Sequence, residues 1–295
     1  MILMEKREIS LPLVSIVIIT LNRKKNLEKC INSLLNLIYP LSNLDIIVVD
    51  GGSVDGTQEM VRRNFPNVRF ITEERRGVAI ARNIGWRNSK GKFVAYTDDD
   101  CIVDPYWIRR LVVSLESSNA KGAGGPVAYL HPEAIPKYYR GTPFGAFDLG
   151  AGQRLLKKGE NLITANMLID ATVFKEINFW ESLVYNDSED AEFCRSVLEA
   201  GYNLLYVPDA TIYHNINLRR INLGYLLKRA FFSGITSYII ERKRKRNITL
   251  IPIYFRFFLG GCIRFYYRRT VENIYWSAKS FVAFLASILL IALWK

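Results

Sequence analysis

Three adjacent carboxylates, Asp98, Asp99 and Asp100, close an apolar run that starts at Phe93. Side by side they repel one another and raise each other's proton affinity. A hard divalent cation relieves that conflict, because Mg²⁺ or Mn²⁺ takes oxygen ligands and shares them with substrate phosphates. In an extended chain, residues two apart face the same side. Asp98 and Asp100 can therefore aim at one ion while Asp99 turns elsewhere. The plainer reading is a solvated acidic turn ahead of a helix. A second acidic group, Asn186-Asp187-Ser188-Glu189-Asp190, precedes Phe193, Val197 and Leu198 at helical spacing. The helix dipole favours acids in a first turn, and a carboxylate placed there can also take a proton from a hydroxyl. His214 follows a strand-like run and Pro208, and His131 is the only other histidine. A ring nitrogen makes His214 a candidate third metal ligand, against the structural role that a lone histidine usually has.

The segments that must position these groups alternate. Val14–Ile19 and Ile46–Val49 are short apolar runs, and Val68–Ile71 and Phe93–Tyr96 read as further strands. Between them Asn26–Leu37, Asp55–Arg63 and Val78–Asn88 have helical character. Strands buried on both faces and separated by helices predict a parallel sheet wrapped by right-handed crossovers. Ligands of such sheets bind beyond the carboxyl ends of the strands, where Thr20, Asn22, Asp50 and Asp98 to Asp100 fall. Asp55 with Gln58 predicts a capping box, and Asp104-Pro105 predicts an N-cap followed by proline. The stretch 121–160 is rich in Gly and Pro and reads as loops on an acceptor side. Asn161–Ile169, Ala171–Ile177, Glu189–Ala200 and Leu204–Val207 resume ordered structure, with Gly201 ending a helix.

With 295 residues, 49% of them hydrophobic and 23% charged, the chain has ample core for one α/β domain and an appendage. The formal net charge of +12 calls for an anionic partner. Long basic runs, including Arg242 to Arg246, lie beyond residue 215, whereas the acidic clusters lie before it. Cys30, Cys101, Cys194 and Cys262 are scattered, which fits a reducing compartment better than a disulfide framework or a zinc site. The charged N-terminus lacks the apolar run of a signal peptide, so the catalytic part is expected in the cytoplasm. From Leu223 to Ile239 apolar residues recur every three or four positions. Two more apolar segments follow, Ile248–Tyr267 and Ile274–Trp294. The second is long enough, at about 1.5 Å per residue, to cross a hydrocarbon layer of about 30 Å. A basic amphipathic helix followed by apolar helices suits an anionic bilayer surface, with the basic flank on the cytoplasmic side. Packing on the catalytic part or on a second copy of the chain is the alternative for these helices. The aromatics sit in membrane-like runs rather than between cations on a soluble surface, which argues against nucleic acid as the partner.

Several segments, in order, resemble the family-2 glycosyltransferases, the inverting enzymes of GT-A fold. Ser15-Ile16-Val17-Ile18-Ile19-Thr20-Leu21-Asn22-Arg23 is similar to their opening strand, and Ile46 to Thr57 to their second strand and its turn. Arg76-Gly77 with Ala81-Arg82-Asn83-Ile84-Gly85 resembles the segment before the D-x-D strand, and Asp98-Asp99-Asp100 stands in the D-x-D place. Thr164-Ala165-Asn166-Met167, Glu189-Asp190, Cys194-Arg195, Gly201-Tyr202 and Val207-Pro208-Asp209-Ala210 to His214 resemble the acceptor-half pattern.

The resemblance, over about residues 13–215, implies an α/β GT-A fold, a Rossmann-like mixed β-sheet flanked by helices, and the pattern of the tail adds a C-terminal helical membrane-attachment region. Residues 1–215 would form the catalytic domain, with a nucleotide-binding half over about 13–104 and an acceptor half over about 105–215. Residues 216–295 would form the attachment region. Thr20, Asn22, Asp50, Arg82, Asn83, Asp98, Asp99 and Asn166 would bind a nucleotide-diphosphate-sugar, a UDP- or GDP-sugar by default. Asp98, Asp100 and His214 would hold Mn²⁺ or Mg²⁺. Asp190, with Glu189 beside it, would be the base, and Arg195 would steady that helix. A polyprenyl phosphate or a lipid-linked saccharide is the expected acceptor, at the cytoplasmic face of the membrane. Leu21 replaces a tyrosine common in the family, and Gly51 stands where many relatives carry a second Asp. Rival readings are a nucleotidyltransferase, whose glycine-rich loop has no counterpart at Thr20 to Lys24, and a membrane-associated nucleotide-sugar-binding partner without catalysis.

Overall fold

A computed structural model of the chain describes residues 11–75, 77–136, 146–183, 188–218, 222–244 and 281. The expected helices Ile248–Tyr267 and Ile274–Trp294 lie outside the described residues, Phe281 apart, as do Arg76 and Asn186-Asp187.

The apolar runs form the strands β1 (Val14–Thr20), β2 (Leu44–Asp50), β3 (Arg69–Thr72) and β4 (Phe93–Asp98). They pair in parallel in the order β3-β2-β1-β4, with α1 (Lys24–Leu35), α2 (Thr57–Asn64) and α3 (Val78–Arg87) as crossovers. The period-2 alternation of β1 sends Ile16 and Ile18 into one apolar layer with Leu27, Ile31 and Leu34 of α1, and Val17 into a second layer with Val94 and Tyr96. In this order the chain reverses direction between β1 and β4, and the crevice at their carboxyl ends is the topological switch point. Ile19 pairs with Asp98 there.

The sheet is mixed, as expected. Beyond β4 come β9 (Met167–Asp170), β6 (Gly122–Gly124), β10 (Leu204–Tyr206) and β8 (Arg154–Leu155). The strand β9 runs antiparallel to both β4 and β6. A second sheet has the order β5-β11-β7, from Cys101–Val103, Ile212–His214 and Val127–Tyr129. The helix α4 (Trp107–Glu116) covers the first face, α5 (Glu189–Glu199) the second, and α6 (Leu223–Lys243) follows the sheets.

Three local expectations are corrected. The 121–160 stretch is not all loop, because Gly122 and Gly124 form the inner strand β6. Glycine is required there by close approach: a Cβ on Gly124 would lie 2.5 Å from the Asn166 carbonyl oxygen. The capping box of Asp55 with Gln58 is replaced by a turn, since α2 begins only at Thr57. The Asp55 carboxylate instead accepts from the Thr57 amide at 3.2 Å and the Lys24 amide at 3.0 Å, which binds the two strand-to-helix turns together. Likewise α4 starts at Trp107, and Asp104 accepts from the Tyr106 amide one turn earlier.

Among the positions of α6 whose burial is described, Ser233, Thr236 and Ile240 are buried, whereas Phe231 of the apolar stripe is exposed and Ile235 and Ile239 are half-buried. At 100° per residue those three stripe positions lie away from the buried row. Among the described residues no helix is long and apolar enough to cross a membrane.

Replacing Gly124 with Ala is expected to lower stability by about 1–3 kcal/mol, because the added methyl meets backbone rather than a movable side chain. Urea unfolding of the variant measures the loss, and an unchanged midpoint would disprove the close approach of β6 and β9.

Candidate active site

Each of the three carboxylates at the end of β4 has a different environment. Asp99 points inward, where its side chain accepts from Thr20 Oγ1 at 2.7 Å and from Arg23 Nη1 at 2.7 Å. Burial raises its pKa to about 6 although Arg23 opposes the shift. Asp100 accepts from Arg23 at 2.6 Å and lies 3.2 Å from His214 Nε2. Burial works to raise the Asp100 pKa, but His214 and Arg23 overcome it and hold the carboxyl below the usual range. Asp98 is the open member, its side chain 37% exposed. Enclosure by the cleft walls and the charge of Asp100 raise its pKa against the pull of Arg82.

The second sheet brings His214 to this turn. The strand β11 runs antiparallel to β5 with His214 opposite Cys101, and the Asn215 amide donates to the Asp100 carbonyl at 2.8 Å. This hydrogen bonding locks the histidine beside the carboxylate it was expected to join.

Arg82 comes from α3, which lies directly on β1 where Gly85 faces Val17 without a Cβ between them. Its guanidinium is buried, in an ion pair with Glu189 at the start of α5 and 3.8 Å from Asp98. Burial opposes its charge, but Glu189, Asp98 and Asp190 together raise its pKa. One buried cation therefore joins the carboxylates of β4 to those of α5. Glu189 is engaged by Arg82, while Asp190 is half-buried, with Oδ1 accepting from the Ala191 amide at 2.7 Å.

The remaining predicted residues divide into two groups. At the switch point Asp50 accepts from the Gly52 and Ser53 amides and the Ser53 hydroxyl. Asn22, left-handed at φ 53°, accepts from the Val54 amide at 2.8 Å, so the turns after β1 and β2 clasp one another beside exposed Leu21. Asn83 and Asn166 instead lie inside the framework. Asn83 bonds to the Phe179 backbone and to Glu181. Fully buried Asn166 accepts from Trp107 Nε1 and donates to the carbonyls of Pro126 and Ala210. Arg195 pairs with Glu199 along its own helix at 3.2 Å.

Sequence reasoning passed over two residues of this region. Arg23 bridges Asp99 and Asp100 through Nη1, and its signal was a cation just past a strand end that faces three acids. Ser53 bonds both Asp50 and Asn22, and only pairing of β1 with β2 puts it there.

Hard oxygen donors from Asp98 and Asp100 beside a ring nitrogen suit a divalent ion that also takes phosphate oxygens. Among the described residues no group of three or more acidic, histidine or cysteine side chains is arranged to hold a metal by itself.

A 3-2-1-4 parallel half, an antiparallel extension and carboxylates at the switch point define a GT-A glycosyltransferase. The fold is similar to that of the mannosyltransferase PcManGT from Pyrobaculum calidifontis, solved with GDP-Man and Mn²⁺, at a TM-score of 0.59 and 18% identity over 95% of this chain and 79% of that one. It is also similar to S. aureus TarS 1-349 at a TM-score of 0.55 and 16% identity, where the match spans 75% of this chain and 65% of that one. Residues 15–177, more than half of the chain, match Glycosyl transferase family 2, and the chain belongs to that family. Among curated relatives, glycosyltransferase AglE of Haloferax volcanii is 26% identical over 255 residues, 83% of this chain and 80% of the relative. The dolichyl N-acetyl-alpha-D-glucosaminyl phosphate 3-beta-D-2,3-diacetamido-2,3-dideoxy-beta-D-glucuronosyltransferase of Methanococcus voltae is 26% identical over 268 residues, 85% of this chain and 81% of the relative. The chain is a nucleotide-sugar glycosyltransferase.

Asn166→Ala removes the hydrogen bonds to Trp107 Nε1 and to the Pro126 and Ala210 carbonyls, of which only Pro126 keeps another donor, the Ile212 amide, so stability is expected to fall by about 3 kcal/mol. A direct donor contact would behave differently. Chemical unfolding measured alongside donor KM separates the two roles, and an unchanged midpoint with a raised KM would overturn the framework assignment.

Proposed function

We propose that the chain is a metal-dependent, inverting transferase that moves a sugar from a UDP- or GDP-sugar to a lipid-linked acceptor at the cytoplasmic face of a membrane. The observation that carries this reading is Arg82, which joins Asp98 at the end of β4 to the first turn of α5. That link supports a shared cleft for the phosphate-side carboxylates and the candidate base. The donor half would comprise residues 13–104, the acceptor half 105–215, and residues 216–295 would attach the enzyme to the membrane.

Asp98 and Asp100 would hold Mn²⁺ or Mg²⁺ beside His214, and the ion would supply positive charge for the departing diphosphate. Metal and nucleotide-sugar together in the PcManGT structure support that assignment. Asn22, Asp50 and the clasped turns at the switch point would receive the nucleoside. Asp190 takes the proton of the acceptor hydroxyl while its oxygen bonds to the anomeric carbon and the bond to the diphosphate breaks. A single displacement inverts the configuration. Glu189 is less suited to that step because Arg82 occupies it. Thr20 and Asp99 would act behind the site, where the Asp99 carboxylate accepts from Thr20 and Arg23 while Asp98 stays open.

The acceptor class is supported by the dolichyl-phosphate sugar that the Methanococcus voltae relative is named for, and by the basic, apolar tail. A polyprenyl phosphate carries the same headgroup chemistry. The outward face of α6, with Phe231 exposed, adds apolar surface for a bilayer.

UDP or GDP is expected to raise the melting temperature by about 2–5 °C, and only with Mn²⁺ or Mg²⁺ present. Stabilisation by neither nucleotide in the presence of metal would sink the proposal. Asp190→Asn should keep that nucleotide response and lose transfer to dolichyl phosphate by about 10²–10⁴-fold. The full chain should also float with phosphatidylglycerol vesicles, less so at high salt, and not with neutral ones. Equal recovery with both vesicles would refute the electrostatic part of attachment.

A further inference from the structure

The helix α5 carries Glu189 and Asp190 in its first turn, and one side of it is a polar row: Glu189, Glu192, Ser196 and Glu199. Such i, i+3 and i+4 spacing places these residues on neighbouring turns of one face. Arg82 holds the first member. The others are held by Arg244, at the end of α6. Its Nε donates to the Glu192 carboxylate at 2.9 and 3.2 Å, and its Nη2 donates to Ser196 Oγ at 2.9 Å. Closer ion pairs join the same guanidinium to Glu192 and Glu199. Glu192 is buried, its side chain 2% exposed, so Arg244 is the cation that balances an interior carboxylate.

The chain leading into α5 is held from the same end of α6. The Trp180 ring lies 4.1 Å from Lys243 Nζ and 5.4 Å from the Arg244 guanidinium. Lys243 Nζ also donates to Ser182 Oγ at 3.2 Å. One residue before Trp180, Phe179 is fixed by Asn83 of α3. Both α5 and its approach are therefore held between α3 and α6.

From this geometry we infer that Arg244 is a positioning residue for transfer. The end of α6 clasps α5 and sets the place of its first-turn carboxylates, so residues 222–244 belong to the catalytic unit. Arg244 stands in the basic run expected to face the membrane, yet it is turned inward, its side chain 12% exposed. The inference rests on the reading of Asp190 as base, and it assigns no contact between Arg244 and either substrate.

The test uses the full chain with Arg244→Ala, Arg244→Lys and the double variant Glu192→Gln/Arg244→Gln, which leaves no lone buried charge should Arg244→Ala fail to fold. Amide hydrogen exchange, without ligand, should quicken about tenfold over residues 189–199 in Arg244→Ala or the double variant, with β1, β2 and β4 unchanged. Transfer is followed from UDP-glucose, UDP-N-acetylglucosamine and GDP-mannose to dolichyl phosphate in detergent with Mn²⁺. The kcat should fall about 10–100-fold while donor KM stays within about twofold, because the donor end of the cleft is built by other elements. Arg244→Lys, which keeps the charge but not the fork of donors, should lie between. Unchanged exchange in α5 overturns the clasp, and faster exchange with wild-type kcat overturns its bearing on transfer. Full activity of Asp190→Asn would instead overturn the base assignment, an outcome that the exchange measurement keeps separate.

Discussion

A buried guanidinium cannot stay charged in a protein interior without carboxylates around it, and Arg82 meets that requirement with two from distant parts of the chain. Asp98 ends a central strand and Glu189 begins a helix about ninety residues later. Removing Glu189, its close and buried partner, would leave the guanidinium with the more open Asp98 at 3.8 Å, and breaking a buried pair costs roughly 3–5 kcal/mol. The arginine thus fixes how far the end of β4 lies from the start of α5. It can stand there because α3 settles directly on β1, which the missing side chain of Gly85 permits.

The same economy of charge explains the three adjacent acids. Left in water beside one another, Asp98, Asp99 and Asp100 would compete for protons. The fold separates their roles by direction: Thr20 and Arg23 take Asp99 inward, Arg23 and His214 flank Asp100, and Asp98 stays open to the cleft. His214 reaches Asp100 only through the small sheet β5-β11-β7, which pairs the turn after β4 with a strand from the other half of the domain. For a glycosyltransferase, this arrangement keeps a cluster of negative charge stable while leaving oxygen donors free on one side.

The tail shows the two demands placed on one basic segment. Arg244 satisfies an interior carboxylate, whereas Phe231 of the apolar stripe is exposed. Exposed apolar surface on α6 is in keeping with the proposed attachment. The end of α6 meets α5, so the two helices share a boundary made of ion pairs.

Much of the fold was legible in the sequence because its signals are local. Short apolar runs with helical segments between them required a parallel sheet, and that sheet places Asp50 and Asp98 to Asp100 at its carboxyl edge whatever the rest of the chain does. Family motifs carried the reading into the second half, where His214 does lie beside Asp100. What local pattern could not express was which polar groups become partners. Asn83 and Asn166 look like ligand contacts in a motif and are framework in space, because their hydrogen-bond partners come from segments forty to a hundred residues away. Gly122 and Gly124 read as loop because glycine carries no periodicity, yet they form an inner strand in which a Cβ on Gly124 would meet the Asn166 carbonyl. Arg23, Ser53 and Arg244 took their places from tertiary contacts alone. Composition and spacing determined the sheet, its edge and the acids upon it, whereas the pairing of buried charges was decided only when distant elements met, since a Coulomb interaction depends on separation in space and not along the chain.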